Sequence, residues 1–242
     1  MASERQLIRG HRSWWASWTP GLDANWMVRM SHHESPAPGQ VLTWESPVFS
    51  TLPPRDSDLI AESAFGLFAY AAEAKVPVEL IPQDQVGLAV KWATDRILIL
   101  RGTGRSLEGL MTTEHIEFAQ CLATRLLAWA SKRPGTLEIQ PRLPGTGIVD
   151  HCHPDLICGT ELIEVKMSRF LFRPPDIQQL LVYAALAWLG TDRQIERVTL
   201  TNPVLGMAWN FELRALIHEI SGLSPSRFFD QFDQMSRGEP LQ

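Results

Sequence analysis

Cysteine, lysine and tyrosine are all scarce in this chain of 242 residues. The three cysteines, Cys121, Cys152 and Cys158, form an odd and sparse set. Such a set is typical of a reducing cytoplasm, and it is too small for an iron–sulfur cluster held by four cysteines. Because lysine and tyrosine are also rare, either residue placed beside acidic groups is informative.

Long hydrophobic runs are absent as well. No apolar stretch approaches the length of about 20 residues that a membrane span requires. The opening residues, Met1-Ala2-Ser3-Glu4-Arg5, do not form a basic region followed by an apolar segment, so a secretory signal is not expected. With 45% hydrophobic and 20% charged residues, the chain is expected to be globular, soluble and cytoplasmic, with no membrane partner.

Positive charge is not in excess, since the formal net charge is −5. This value argues against nonspecific coating of nucleic acid but does not exclude a local basic groove. Basic side chains do surround the central segment described below: Arg96, Arg101, Arg105, Lys132, Arg133, Arg142, Arg169 and Arg173. They form either a phosphate-binding track or an ordinary solvated surface.

The hydrophobic pattern predicts an α/β layer fold. Helices are predicted over 58–74 (capped by Asp56 or Ser57), 114–130 (capped by Thr112-Thr113), 176–189, 212–220 and 225–235. Strands are predicted over 40–50, 136–142, 196–201 and 207–211, with hairpins over 85–101 and, within the segment 148–166, over 154–166. A change of pattern predicts an N-terminal α+β region over 1–105 and a second domain over 106–242.

Tryptophans and arginines are clustered before residue 37. Trp14, Trp15, Trp18 and Trp26 could stack on bases or anchor a partner. The favoured interpretation is an N-terminal arm that packs on its own domain.

The most informative segment lies in the middle of the chain. The apolar runs 154–158 and 161–166 flank Gly159-Thr160, which is typical of a β-hairpin. Side chains alternate between the two faces of a strand, so Glu164 and Lys166 should project to the same side. With Asp155 on the partner strand, two carboxylates and one ammonium can converge, and this combination suits a hard divalent cation beside a phosphate.

Other arrangements of nearby residues remain open. Glu164 and Lys166 could form a structural ion pair, and Asp150 could replace Asp155 if the register differs. His153 could contact a phosphate. A zinc site is disfavoured because alternating strand faces separate the members of the candidate set, His151, Cys152, His153 and Cys158. Gly102-Thr103-Gly104 lacks the Gly-Lys-Ser/Thr that follows in a phosphate-binding loop.

The helix predicted over 176–189 carries Asp176, Gln179 and Tyr183 on one face, because their spacing is i, i+3 and i+7. A hairpin with Asp, Glu and Lys followed by a Gln-x-x-x-Tyr helix resembles the PD-(D/E)XK nuclease superfamily, in particular its RecB-like branch. The matching segments are Pro154-Asp155, Glu164-Val165-Lys166, Gln179 to Tyr183 and, more loosely, Asn202-Pro203-Val204-Leu205-Gly206. The likeness covers roughly 111–235, and residues 1–105 resemble no family.

The resemblance implies a restriction-endonuclease-like mixed sheet flanked by helices, with an N-terminal α+β extension. It implies that Asp155 and Glu164 are ligands of Mg²⁺, for which Mn²⁺ substitutes, with the Val165 carbonyl as a further ligand. Lys166 would position or deprotonate the attacking water and offset transition-state charge.

Supporting roles follow from the same resemblance. Gln179 and Tyr183 would orient the site or contact the substrate backbone. A glutamate of the preceding helix often completes the metal site, and the candidates are Glu117 and then Glu114. The alternative is that both are surface carboxylates favoured by the helix dipole.

The implied activity is Mg²⁺-dependent hydrolysis of DNA by an endonuclease or exonuclease, leaving a 5′-phosphate, with restriction or anti-phage defence as the expected setting. The alternatives are a catalytically inactive nuclease fold used for nucleic-acid binding or assembly, and an RNase with the same chemistry. A protein partner, or a homodimer formed through the N-terminal tryptophans, is a further hypothesis, because many such nucleases dimerise to cut two strands.

Overall fold

The structure is a computed structural model that describes residues 6–8, 12–31, 39–101 and 111–239. These residues fold as a six-stranded mixed sheet flanked by helices, which confirms the predicted α/β class. The strands are β1 (Gly39–Thr43), β2 (Leu137–Ile139), β3 (Leu156–Cys158), β4 (Glu161–Val165), β5 (Arg197–Asn202) and β6 (Met207–Glu212). The helices are α1 (Arg12–Trp18), α2 (Ala24–Ser31), α3 (Ser57–Ala74), α4 (Gln83–Arg101), α5 (Thr113–Ala130), α6 (Pro174–Gly190), α7 (Leu213–Ser221) and α8 (Pro225–Ser236), with short 3₁₀ turns at Pro54–Asp56 and Val78–Leu80.

The strands are arranged in the order β1-β6-β5-β4-β3-β2. Only β4 and β5 run parallel, and the other neighbouring pairs are antiparallel. Parallel neighbours need a crossover connection, and α6 provides it between β4 and β5. The end of β4 and the start of α6 therefore lie close together.

The hairpin predicted over 154–166 is confirmed. β3 and β4 pair from Leu156 opposite Ile163 to Cys158 opposite Glu161, which leaves a two-residue turn. Gly159 takes the left-handed conformation (φ 59°) that such a turn requires and that glycine adopts without strain.

Hydrophobic residues pack on both faces of the sheet. One cluster joins α6, α7 and α8 to α1 and α2, and the other joins α3 and α5 to β3. Trp18 is 1% exposed, its ring lies 4.2 Å from that of Phe228, and its Nε1 donates to the Phe228 carbonyl (2.9 Å). Trp15 and Trp26 are buried in the same cluster. The favoured interpretation of the N-terminal tryptophans is confirmed for these three, so their rings are not available to a partner.

The hairpin predicted over 85–101 is wrong, because this segment lies in the single helix α4. Val86, Ala89, Ala93 and Ile97 are buried at helical spacing. Leu88 and Trp92 lie between these residues in sequence and are exposed apolar side chains. Together with the buried positions they produce a pattern of apolar residues that is typical of a strand.

Two further predictions differ from the structure in extent. The strand predicted over 40–50 is formed as β1 over only Gly39–Thr43, and that predicted over 136–142 as β2 over Leu137–Ile139. Contacts cross the division predicted near residue 105, because β1 pairs with β6 and α3 shares a hydrophobic cluster with α5, and the division itself stays a prediction. Gly102-Thr103-Gly104 lies outside the described residues.

No described helix combines the length and hydrophobicity that crossing a membrane requires.

Candidate active site

The β3–β4 hairpin brings the predicted carboxylates together. Asp155 directly precedes β3, and continuing the register by one pair places it opposite Glu164. The Asp155 backbone is fixed by its carbonyl, which accepts from the Gln140 N–H (2.8 Å). Its side-chain Oδ2 accepts from the Val165 N–H (2.8 Å). Asp155 therefore points across the hairpin toward the end of β4, as the strand alternation predicted.

Lys166 lies at the meeting point of the hairpin and helix α6. Its Nζ donates to Glu164 Oε1 (2.8 Å) and to Gln179 Oε1 (2.7 Å), and it lies 3.6 Å from Asp176 Oδ1. The Gln179 amide in turn donates to the Tyr183 hydroxyl (2.8 Å). A continuous polar chain thus runs from the buried helix face to the carboxylates of the hairpin.

The first turn of helix α6 sets the position of the polar side chains that the helix contributes to this chain. Pro174 and Pro175 occupy its first turn, where a missing N–H costs nothing, and Asp176 accepts from the Arg173 N–H (2.8 Å). Gln179 is buried on the face that packs against the sheet, and it is satisfied there by Lys166 and by Tyr183. A glutamine at this position would be costly without those partners.

Burial and the neighbouring charges shift the pKa values of Asp155 and Lys166. Burial raises the pKa of Asp155 well above its usual value, and the nearby Glu164 carboxylate adds to the rise, against the opposing effects of the Val165 N–H and the Lys166 ammonium. Burial alone would lower the pKa of Lys166, but Glu164 and Asp176 raise it above its ordinary value. The lysine is therefore a charged ammonium at neutral pH.

One atom of the cluster has no partner. Glu164 is 3% exposed, and its Oε2 accepts no hydrogen bond from the described part of the chain. A buried carboxylate oxygen without a donor costs free energy and is the kind of atom that a cation would satisfy. No group of three or more acidic, histidine or cysteine side chains close enough to hold a metal occurs in the described ranges. The side-chain oxygens that this site offers a cation are therefore those of Asp155 and Glu164.

Asp155, Glu164, Lys166 and Asp176 line a cleft of about 690 Å³ that lies between the hairpin, α3, α4 and the loop before α6. Glu62 of α3 and Arg96 of α4 line it, and the Arg96 Nε lies 3.1 Å from Glu62 Oε2. The Glu62 charge also contributes to raising the pKa of Asp155. Glu62 is therefore a third carboxylate in the cleft, although it does not form a three-ligand metal group with Asp155 and Glu164.

The helix that supplies this carboxylate is not the predicted one. Glu117 and Glu114 are both exposed on α5, and neither lines the cleft. Sequence reasoning missed Glu62 although a signal was available, since it is an isolated acid within the apolar middle of α3.

The remaining candidates lie apart from this cluster. Asp150 pairs with His151 (Oδ1 to Nδ1, 2.9 Å) and lines a different surface pocket. The thiols of Cys152 and Cys158 donate to separate carbonyls, those of Asp150 and Pro134 (3.3 Å each), so the described residues do not assemble the zinc set. His153 forms a hydrogen bond with the Gln140 carbonyl (3.0 Å) and is exposed near the cleft.

Comparison with protein-family models, with curated proteins and with solved structures found no match to the chain.

Proposed function

We propose that this chain is a metal-dependent nuclease of the PD-(D/E)XK type that hydrolyses phosphodiester bonds of DNA. The observation that carries the proposal is the meeting of Asp155, Glu164 and Lys166 at one end of a cleft, with one Glu164 oxygen buried and unpaired. The six-stranded mixed sheet with helices on both faces is compatible with a restriction-endonuclease-like fold.

Asp155 and Glu164 would hold Mg²⁺ or Mn²⁺, with the Val165 carbonyl as the expected further ligand. When bound, the ion would polarise a phosphoryl oxygen and stabilise the charge that develops there. Two facing carboxylates and an unsatisfied Glu164 oxygen are the features of this chain that fit such an ion.

Lys166 would act on the water and on the phosphoryl oxygens. Its ammonium is held by Glu164, Gln179 and Asp176, so it stays beside both carboxylates. A fixed positive charge at this position offsets charge on the transition state without reorganisation. Gln179 and Tyr183 would hold the lysine in place, since Gln179 accepts from its Nζ and donates to Tyr183.

The test is cleavage of supercoiled plasmid and of circular single-stranded DNA in the presence of Mg²⁺. We expect cleavage by the wild-type protein, its loss in EDTA, and a decrease in rate of about 100-fold or more in Lys166→Ala. The matched control is Lys132→Ala, because Lys132 is an exposed lysine that does not line the cleft. Thermal unfolding of each variant would show that the fold is retained.

Two outcomes would overturn the proposal or change it. If the folded wild-type protein binds DNA but cleaves nothing with Mg²⁺ or Mn²⁺, the chain is a binding or assembly module. The lack of a three-ligand group among the described residues is the observation that favours this alternative. If single-stranded RNA is cleaved in preference to both DNA substrates, the same chemistry belongs to an RNase. A role in bacterial restriction or defence, and a protein partner or homodimer, are the parts of the proposal that rest on analogy alone.

A further inference from the structure

The loop over 167–173 forms one rim of the cleft and exposes two large apolar side chains. Phe170 is 70% exposed and Leu171 is 51% exposed, whereas the next residue, Phe172, is 4% exposed. All three line the cleft. Single exposed apolar residues are common on protein surfaces, but an adjacent pair at the mouth of a polar cleft is not explained by packing.

Hydrogen bonds and one aromatic contact tie the loop to the sheet. Asn202 is fully buried, and its amide donates to the carbonyls of Ser168 (2.7 Å) and Phe170 (3.4 Å). The Ser168 hydroxyl donates to the Phe170 carbonyl (3.1 Å) and accepts from the Phe170 N–H (3.2 Å). Phe172 anchors the other side, with its ring edge-on to that of Trp209 at 5.2 Å. The exposure of Phe170 is therefore imposed by the fold.

The charges next to Phe170 are positive. Arg169 and Arg173 are exposed on either side of the apolar pair, and neither side chain forms an ion pair with a carboxylate of the described ranges. Asp176, the nearest acid in sequence, is engaged by the Arg173 N–H and the Lys166 ammonium. The acidic cluster inside the cleft would repel a polyanion, so the exposed Arg173, which lines the cleft, and the exposed Arg169 of the same loop supply the attraction that the net charge of −5 does not.

We propose that Phe170 and Leu171 form a stacking platform for an unpaired base of a polynucleotide whose phosphates contact Arg169 and Arg173. This inference rests on the proposed nuclease function and assigns its substrate class: the strand that enters the cleft is single-stranded. Bases within a duplex stack on each other and offer no free face, whereas an unpaired base can stack on an exposed aromatic ring.

The binding test uses a fluorescein-labelled single-stranded oligodeoxynucleotide with Ca²⁺ in place of Mg²⁺. We expect Phe170→Ala to weaken binding about 10-fold, the usual range for loss of one stacked base. Phe170→Trp should retain wild-type affinity. The matched control is Phe49→Ala, because Phe49 is 63% exposed but does not line the cleft. A 2-aminopurine placed along the strand should be quenched by the wild-type protein and not by Phe170→Ala.

The same titration with duplex DNA and with single-stranded RNA separates the possible results. Binding that prefers the single strand and depends on Phe170 supports the platform even if no cleavage is found, in which case only the catalytic proposal fails. Preference for RNA supports the platform and moves the substrate from DNA to RNA. Tighter binding of duplex DNA, or equal losses in Phe170→Ala and Phe49→Ala, overturns the platform while leaving metal-dependent cleavage intact.

Discussion

At the scale of single residues, the carboxylates of Asp155 and Glu164 face each other at the end of a buried hairpin, and this arrangement is electrostatically unfavourable. Burial and the Glu164 carboxylate raise the pKa of Asp155, and one oxygen of Glu164 has no donor among the described residues. A sequence optimised for stability alone would not place them there. Such conflicts concentrate at functional sites, where a ligand or a reaction makes use of them.

The variant Asp155→Asn should therefore be more stable than the wild type in metal-free buffer at neutral pH. The folded-state pKa of Asp155 is raised above the value of about 4 of an unfolded chain. The contribution of this carboxyl to stability is thus present below pH ~4 and is lost as pH rises through the folded-state pKa. An asparagine oxygen can still accept from the Val165 N–H. We expect a gain on the order of 1 kcal/mol at pH 7.5 that vanishes toward pH 4, measured by urea unfolding in EDTA.

The control for this measurement is Asp150→Asn. The N–H and ring of His151 hold the pKa of Asp150 below its usual value, so its charged form is favoured in the folded state. Removing that charge should not stabilise the protein at neutral pH. Equal gains in both variants, or a gain in Asp155→Asn that persists unchanged at pH 4, would contradict the electrostatic account of Asp155.

Sequence spacing was sufficient for the residues of the site that lie close in the chain. The i+2 spacing of Glu164 and Lys166 and the i+4 spacing of Gln179 and Tyr183 fix which side chains share a face, whatever the rest of the fold does. Glu62 could not be placed in this way. It lies far from the hairpin in sequence, and its position in the cleft depends on how α3 packs over the sheet.

At the level of elements, α4 shows where local pattern fails. Residues 85–101 contain enough β-branched and alternating apolar residues to predict a hairpin. The helical set Val86, Ala89 and Ala93 contributes to buried clusters, while Leu88 and Trp92 remain exposed. Tertiary packing against α3 favours the helix over the predicted hairpin, and a single sequence does not show such long-range contacts.

Gly87 tests this helix directly. It is exposed within α4, and a Cβ added there meets nothing within 4 Å. In a helix, Gly87→Ala should raise the free energy of unfolding by up to about 1 kcal/mol, and Gly87→Val should raise it less, because alanine has the higher helix propensity. Chemical denaturation of the two variants would measure the order. Valine more stabilising than alanine would indicate a strand and contradict the structure of α4.

At the scale of the whole molecule, contacts cross the division that the change of sequence pattern predicted near residue 105. β1 is an edge strand of the same sheet as the hairpin, and α3 packs with α5 in one hydrophobic cluster. In the other cluster, Trp18 packs on Phe228 of α8 and Trp26 packs on Phe211 of β6. Described residues from both sides of the predicted boundary therefore bury each other's apolar surface, and they should unfold together.

Joint unfolding of the two hydrophobic clusters can be tested by truncating one buried side chain in each cluster. Both side chains are chosen from residues before 105. Trp18 and Phe68 are at most 1% exposed, so Trp18→Ala and Phe68→Ala should each cost about 3–5 kcal/mol through lost contacts and a cavity. If the sheet and both clusters form one cooperative unit, each variant should shift a single unfolding transition that far-ultraviolet circular dichroism and tryptophan fluorescence report alike. Trp188→Ala is the matched control, because Trp188 is 50% exposed and its loss should cost about 1 kcal/mol or less. Two separate transitions, only one of which moves in either core variant, would restore the division at residue 105.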